Sequence, residues 1–372
     1  MPDAVFLYTN AVAPPVGRWY NRVPKRRREV PAVRNIKICI SWLLTVGLLL
    51  CCACGARKPD TGSGGIPADT GSAAVPHAPL SMPYIGIILK AQNNPYFQLI
   101  KAGAEDEADA EGVQVMVFSP DAEDNTVDQA DMLLTMANMS VDVIAIAPSS
   151  AQSLTEGLTR AAENGKILMA VDTVLPFDGC ACYIGTDHYN AAYRQGVYAA
   201  KLAEGSGRAV ILRGREDDRA HTLRTYGLED GLKAGGAAVA ETAVCGSEEE
   251  AEQTVTQLLA AHPERNIICT TFDSAAVGAQ RAAAHAGRDD VHIVSFDGMP
   301  EVSELVRAGE IDAAVAQDPY RIGQLCVQNA VRLYHGEPVP ESIHTDAELI
   351  TPDNAQAHME QLSSRLKHKN TK

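Results

Sequence analysis

From residue 84 onward, short apolar runs that stop at a polar side chain alternate with segments whose apolar positions recur at helical spacing. The first run lies in YIGIILKAQNNPYF, from Tyr84 to Phe97: it ends at Lys90, and the chain turns through Asn93, Asn94 and Pro95 into a helix. Later runs end at Asp172 in KILMAVD, Asp273 in NIICTTFD, Asp297 in HIVSFDG and Gln317 in AAVAQD. The pattern predicts strands at 85–90, 113–118, 142–147, 166–172 and 182–186, with helices at 95–111, 126–139 and 153–164 between the first four. A second series follows: helix 190–204, strand 208–213, helix 221–234, strand 239–244, helix 250–261, strand 266–271, helix 275–286, strand 291–296, helix 301–308 and strand 311–316. A long helix at 319–335, one strand at 345–350 and a helix at 353–366 close the chain. Ser153 with Glu156, and Ser247 with Glu250, have the spacing of capping boxes, and Gly165 stands where a helix C-terminus wants a residue with positive φ.

Strands alternating with helices build a parallel sheet covered on both faces. Twelve or so strands exceed one comfortable sheet, so the pattern predicts an α/β protein of two doubly wound parallel-sheet lobes. In such sheets ligands sit in the crevice outside the carboxyl ends of the strands. The polar run endings are therefore the candidate site.

Composition refines the picture at the N-terminus. The first 53 residues hold eight Lys/Arg and two Asp/Glu, so the chain's formal charge of −15 leaves −21 for the remainder. An acidic body argues against nucleic acid as a partner. KRRR at 25–28 precedes ICISWLLTVGLLLCCAC, after which the chain turns polar at Gly55, as at an export signal. Residues 56–82 are rich in Gly, Ser, Thr, Pro and Asp and read as a flexible tether. Both tryptophans, Trp19 and Trp42, lie in the leader, which leaves Tyr and Phe as stacking surfaces in the body.

At strand ends, carboxylates and amides suit vicinal hydroxyls, and aromatic faces suit the apolar face of a sugar ring. The competing reading is structural, since an Asp after a strand is often the cap of the next helix. It applies most to Asp273 and less to Asp297, which Gly298, Met299 and Pro300 separate from the following helix. Of Tyr96 and Phe97, adjacent on a helix, one is expected in the core. Cys180 and Cys182 read as small strand residues, and neither cysteine nor histidine spacing suggests a metal site. No nucleophile motif or phosphate loop is present, so neither an enzyme nor a resident cofactor is expected.

From Tyr84 to about Thr351 the chain resembles the periplasmic sugar-binding proteins of ABC transporters, of the ribose/galactose type. The segments that carry the resemblance are IGIILKAQNNPYFQLIKAGAEDEA, VDVIAIAPSSAQSL, ILMAVDT, YIGTD, LLAAHP, VSFDG and AAVAQDPYRIG. It implies a type I periplasmic binding fold, with three crossings near Thr186, Asp318 and Thr345 joining a lobe of 83–186 plus 318–345 to one of 187–317 plus 346–372. It also implies ligand contacts at Asn94, Tyr96, Phe97, Asp172, Asp297 and Gln317, with Arg224 near the family's cleft arginine. Three positions depart from the ribose pattern: Thr173 stands where Arg is usual, Phe272 where Asn is usual, and Lys90 where a small polar residue is usual. Lys90 either pairs with Asp172 or meets an anionic group on the ligand. The leader resembles a lipoprotein signal in which Cys54 is lipidated, a plain membrane anchor being the alternative. A monomer capturing a small sugar for an ABC permease, on the outer face of the cytoplasmic membrane or in the periplasm, is the expected function, with a ligand sensor that presents its closed form to a membrane receptor as the alternative.

Overall fold

The structure, a computed structural model, describes residues 81–367. The 1–53 leader, Cys54 and all but the end of the 54–82 tether lie outside the described residues. The first series runs β1 (Tyr84–Ile88), α1 (Pro95–Glu111), β2 (Gln114–Phe118), α2 (Thr126–Ala137), β3 (Val143–Ile146), α3 (Thr155–Glu163), β4 (Ile167–Val171) and β5 (Cys180–Thr186). The second runs α4 (His188–Leu202), β6 (Arg208–Arg213), α5 (Arg219–Ala234), β7 (Ala238–Val244), α6 (Glu248–Ala261), β8 (Ile267–Thr270), α7 (Asp273–His285), β9 (His292–Asp297), α8 (Pro300–Ala308) and β10 (Ala313–Ala316). The chain then returns as α9 (Pro319–Tyr334), β11 (Ser342–Thr345), β12 (Glu348–Ile350) and α10 (Ala355–Lys367).

Two six-stranded sheets result, ordered β11-β5-β4-β3-β1-β2 and β12-β10-β9-β8-β6-β7. All pairings are parallel except β10 with β12. This is the expected pair of doubly wound parallel-sheet lobes, and both belong to one compact unit that begins at Leu80. Side chains alternate across each strand, so one strand feeds two cores. Ile85 and Ile87 join the cluster under α1 and α9, whereas Ile88 joins Leu133 and Leu158 under α2 and α3. The second sheet is covered likewise, by α4 and α5 on one face and by α6, α7 and α8 on the other. Where α1 meets α9 the backbones touch: a Cβ on Gly103 would meet the Tyr320 carbonyl, and one on Gly323 the Ile100 carbonyl. Glycine at both points lets α9, which follows the second crossing, lie flat on the first lobe.

Two local expectations fail. The strand expected at 345–350 is β12 alone, at Glu348–Ile350 beside β10, and β11, at Ser342–Thr345 beside β5, was not expected. The segment Ser342-Ile343-His344-Thr345 carries a single apolar residue, so no alternation marks it as a strand. Ser153 does not cap α3: Leu154 occupies the cap position without a side-chain bond, and Ser153 Oγ donates instead to the Ser150 carbonyl, 3.0 Å away. Ser247 does cap α6, accepting from the Glu250 N–H at 3.2 Å, while Glu250 returns its carboxylate to the Gly246 N–H at 2.7 Å. The last helix packs on both lobes. It lies against α8 and α1, buries Leu362 in the first lobe's core, and pairs Arg365 with Asp318 at 2.8 Å.

Candidate functional site

The two lobes present their strand carboxyl ends to each other, and the side chains expected from the sequence meet there. Asp172 follows β4, Asp297 ends β9, Gln317 follows β10, and Lys90 stands two residues beyond β1. Asp172 and Asp297 are two of the three described non-glycine residues with positive φ, at 63° and 120°. Such a backbone costs on the order of 1–3 kcal/mol and persists where the surroundings over-determine it. Here those surroundings are a closed circuit of hydrogen bonds.

The Tyr96 hydroxyl lies 2.8 Å from Asp172 Oδ1 and 3.2 Å from Gln317 Oε1. Gln317 also receives Thr186 Oγ1 at 2.6 Å and donates through Nε2 to Asp297 Oδ1 at 2.7 Å. The same Asp297 oxygen takes Arg224 Nη1 at 3.0 Å, and that nitrogen also donates to the Thr271 carbonyl at 2.8 Å. Arg224 Nε reaches His188 Nδ1 at 3.3 Å, and His188 Nε2 returns to the Asp172 carbonyl at 2.8 Å. A guanidinium only donates, so Nδ1 accepts and the His188 proton sits on Nε2. Phe296, beneath the Arg224 guanidinium at 4.1 Å, holds its plane. Both lobes are thereby tied through Gln317, which sits at the second crossing.

Lys90 is answered from three sides. Its Nζ lies 2.8 Å from Thr173 Oγ1, 2.8 Å from Asp218 Oδ2 and 3.3 Å from Asp172 Oδ2. The expected partner Asp172 is present, but the shorter contact is to Asp218 on the opposite lobe. Thr173 donates onward to Asp172 Oδ2 at 2.9 Å. Asn94 caps α1, its Oδ1 accepting the Tyr96 N–H at 2.9 Å, and its amide donates to Glu123 Oε1 at 2.7 Å. Tyr96 and Phe97 are both buried, in edge-to-face contact at 5.1 Å, and Phe97 joins the first lobe's core. Only Tyr96 brings a polar atom to the circuit. Phe272 packs edge-on against His221 at 5.5 Å beside the site. Asp273 is the first residue of α7 and ties the next loop down, accepting Ser295 Oγ and the Met299 N–H, each at 2.6 Å. Its role is structural, but it is not the helix cap weighed for it: Phe272 holds the cap position of α7, with no side-chain bond.

Charge divides the site. Burial alone pushes the Asp172 carboxyl up, but Lys90, followed by His188 and Arg224, more than offsets it and holds the group below the usual range. Asp218 is also depressed: burial pushes it up, but Lys90, His221 and the hydrogen bonds from Lys90 and the Ala220 N–H together more than offset that. On the other side, burial pushes Asp297 up to about 6 with Arg224 opposing, and burial with the neighbouring Asp297 pushes Asp273 up to about 8. Burial lowers His188 to about 4 and His221 to about 3, so both imidazoles are neutral near pH 7.

Sequence reasoning missed Asp218, His188 and Glu123. Asp218 carried a signal, since an Asp before a helical segment is a candidate cap, but nothing local shows that its second oxygen crosses to Lys90. Among the described residues no group of three or more His, Cys, Asp or Glu is placed to hold a metal, and the cysteines at 180, 182, 245, 269 and 326 are unpaired. No described helix is long and apolar enough to cross a membrane. A cavity of about 930 Å³ opens on the flank of the first lobe, lined by Phe97, Lys101, Asp128, Met132 and Leu366 among others, and includes none of the strand-end carboxylates.

Comparison with known proteins places these features in a family. Residues 85–338 match the model of the periplasmic binding protein domain. The ribose import binding protein of Escherichia coli is 26% identical over 280 residues, which is 75% of this chain and 94% of that protein. The D-allose-binding periplasmic protein of the same organism is 28% identical over 248 residues, covering 64% and 80% of the two chains. Among solved structures, a glucose-galactose binding protein from Geobacillus stearothermophilus superimposes with a TM-score of 0.69 at 23% identity, over 74% of this chain and 99% of that one. The motif resemblance to ribose-type sugar-binding proteins thus stands, and with it the two-lobed fold. On the match over most of its length, the chain belongs to the periplasmic binding protein family.

Proposed function

We propose that this protein captures a small sugar or related polyol between its lobes and delivers it to an ABC importer, from a lipid anchor at Cys54 on the outer face of the membrane. The observation that carries the reading is the circuit itself: two aspartates from opposite sheets, joined through Tyr96, Gln317 and Arg224, at the carboxyl ends of the strands. Each carboxylate offers acceptors for hydroxyl hydrogens, and Gln317, Tyr96 and Arg224 supply donors and acceptors beside them. A polyol bridging Asp172 and Asp297 exchanges water for these groups and holds the lobes together. Binding free energy is then spent in part on domain closure. Support for import comes from the relatives, whose names describe binding proteins for ribose import and for D-allose.

The ligand set proposed is Asp172, Thr173, Tyr96, Asn94, Lys90, Arg224, Asp297 and Gln317, with Phe272 as an aromatic wall, and Phe97, packed in the first lobe's core, is left out of it. Calorimetric titration with D-ribose, D-allose, D-galactose and myo-inositol tests it: at least one is expected to bind, and Asp297→Asn to weaken that binding. Heat from none of them, or binding unchanged by the substitution, would set the reading aside. The anchor is tested separately in a bacterial host. Cys54→Ser is expected to release the protein from the membrane fraction, and retention with the signal still attached would favour a plain membrane anchor.

A further inference from the structure

Lys90 is the site's departure from a neutral-sugar cleft, and its partners decide what that charge does. The ammonium has three hydrogens, and three oxygens stand within reach: Thr173 Oγ1, Asp218 Oδ2 and Asp172 Oδ2. Two of these belong to the first lobe. Asp218 belongs to the second and is fixed there, because its other oxygen caps α5 by accepting the Ala220 N–H at 2.8 Å. Lys90 and Asp218 are 4% and 6% exposed, so their attraction is little weakened by solvent. The other buried cation of the circuit, Arg224, is likewise engaged by Asp297, Thr271 and His188. Four carboxyl groups, Asp172, Asp218, Asp297 and Glu123, thus surround the two buried cations Lys90 and Arg224, and the nearby imidazoles of His188 and His221 add no positive charge near pH 7. An anionic ligand would enter a cleft whose cations are already paired.

We infer that Asp218 is a specificity-determining residue: from the second lobe it captures the Lys90 ammonium, and so makes the cleft select neutral sugars over their acidic counterparts. It acts through Lys90 as a positioning residue. With both buried cations engaged, a ligand carboxylate meets the site's own carboxyl groups without a cation to answer it, a like-charge juxtaposition that discriminates against the acidic partner. Removing the Asp218 carboxylate leaves Lys90 with Asp172 and Thr173 alone, and frees part of its charge for a ligand carboxylate.

The inference rests on the sugar-binding reading, and the test separates the two. Wild type, Asp218→Ser, Asp218→Asn, Lys90→Met and the Lys90→Met/Asp218→Ser double variant are titrated calorimetrically with D-galactose and D-galacturonate, and with D-glucose and D-glucuronate. Serine keeps a capping oxygen for α5, so the fold is retained while the charge is lost. Wild type is expected to favour the neutral member of a pair by about tenfold or more, and Asp218→Ser to move the acid-to-neutral ratio about tenfold toward the acid. In the double variant that shift disappears, which a merely structural role for Asp218 would not produce. A wild type that prefers the acid overturns the inference, as does an unchanged ratio in both Asp218 variants with melting temperatures intact. If wild type binds neither member of either pair, nor any of the neutral sugars named above, the sugar reading falls and takes the inference with it.

Discussion

Asp172 and Asp297 occupy equivalent places, each at the carboxyl end of a strand with positive φ, and each touches Gln317 directly or through Tyr96. Their surroundings are opposite. Asp172 sits beside Lys90 and accepts from Tyr96 and Thr173, so its charge is stabilised. Asp297 has one cation, Arg224, and a second carboxyl nearby in Asp273, and burial raises its pKa to about 6, so its charge is present near pH 7 but costly to hold. One aspartate is held charged whether or not a ligand is present, and the other gains most from a donor brought by a ligand. The lesson is that strand-end position marks a site, while the neighbours contributed by other elements decide what the position does.

The largest expected effect is on affinity. Loss of a hydrogen bond to a charged group costs roughly 1.5–3 kcal/mol, so Asp172→Asn and Asp297→Asn should each weaken sugar binding by about one to two orders of magnitude in a calorimetric titration. Stability should separate the pair. Asp172→Asn leaves Lys90 a neutral neighbour in place of a carboxylate and lowers the ligand-free melting temperature, whereas Asp297→Asn lowers it less. Equal losses of stability would break the comparison.

A second difference is in pH dependence, and the signs are opposite. Asp273 and Asp297 have folded pKa values raised above the unfolded carboxyl value, so their contribution to stability is full below about pH 4 and is lost as pH rises through about 6 and then about 8. Asp172 and Asp218 are depressed, so their contribution is present above about pH 4 and is lost as acid protonates them. His188 and His221 add to the acid loss, since their neutral forms are favoured until pH falls from about 6.5 toward about 4 and about 3. Melting curves from pH 5 to 9 should therefore decline on the alkaline side, and Asp273→Asn should flatten that decline. An alkaline slope identical in the variant would remove Asp273 from the account.

The smallest effect expected is from Tyr96→Phe. It removes a hydroxyl that donates to the charged Asp172 carboxylate and keeps the ring, so about 1.5 kcal/mol of ligand-free stability, the low end for a hydrogen bond to a charged group, should be lost, read as a drop in denaturation midpoint. A larger loss would mean that the tyrosine, and not Gln317, chiefly ties the two sides.

How much of this was legible follows from what is local. The strand and helix series was readable because alternation and helical spacing are properties of neighbouring residues, and the ends of β4, β9 and β10 fell where the apolar runs stopped. β11 was not, because Ser342–Thr345 offers only one apolar residue, Ile343, to an alternation. Lys90, Asp172, Tyr96, Asp297, Gln317 and Arg224 could be nominated together, and the Lys90–Asp172 pair with them, yet the partner Lys90 takes from the opposite lobe could not. Asp218 lies 128 residues beyond Lys90, and His188 is one unremarkable histidine among ten. Contacts between lobes depend on how two separately folded sheets meet, which no window of sequence contains.

The central claim is that the interlobe cleft holds a neutral polyhydroxylated ligand between Asp172 and Asp297. It is tested most directly by purifying residues 81–372 from the native host without prolonged dialysis, denaturing the protein, and identifying released small molecules by mass spectrometry beside an Asp172→Asn/Asp297→Asn preparation. The account predicts a neutral sugar or cyclitol near one equivalent from wild type and little or none from the variant. Release of an anionic or apolar compound from wild type, or the same sugar in equal amount from both preparations, would contradict it.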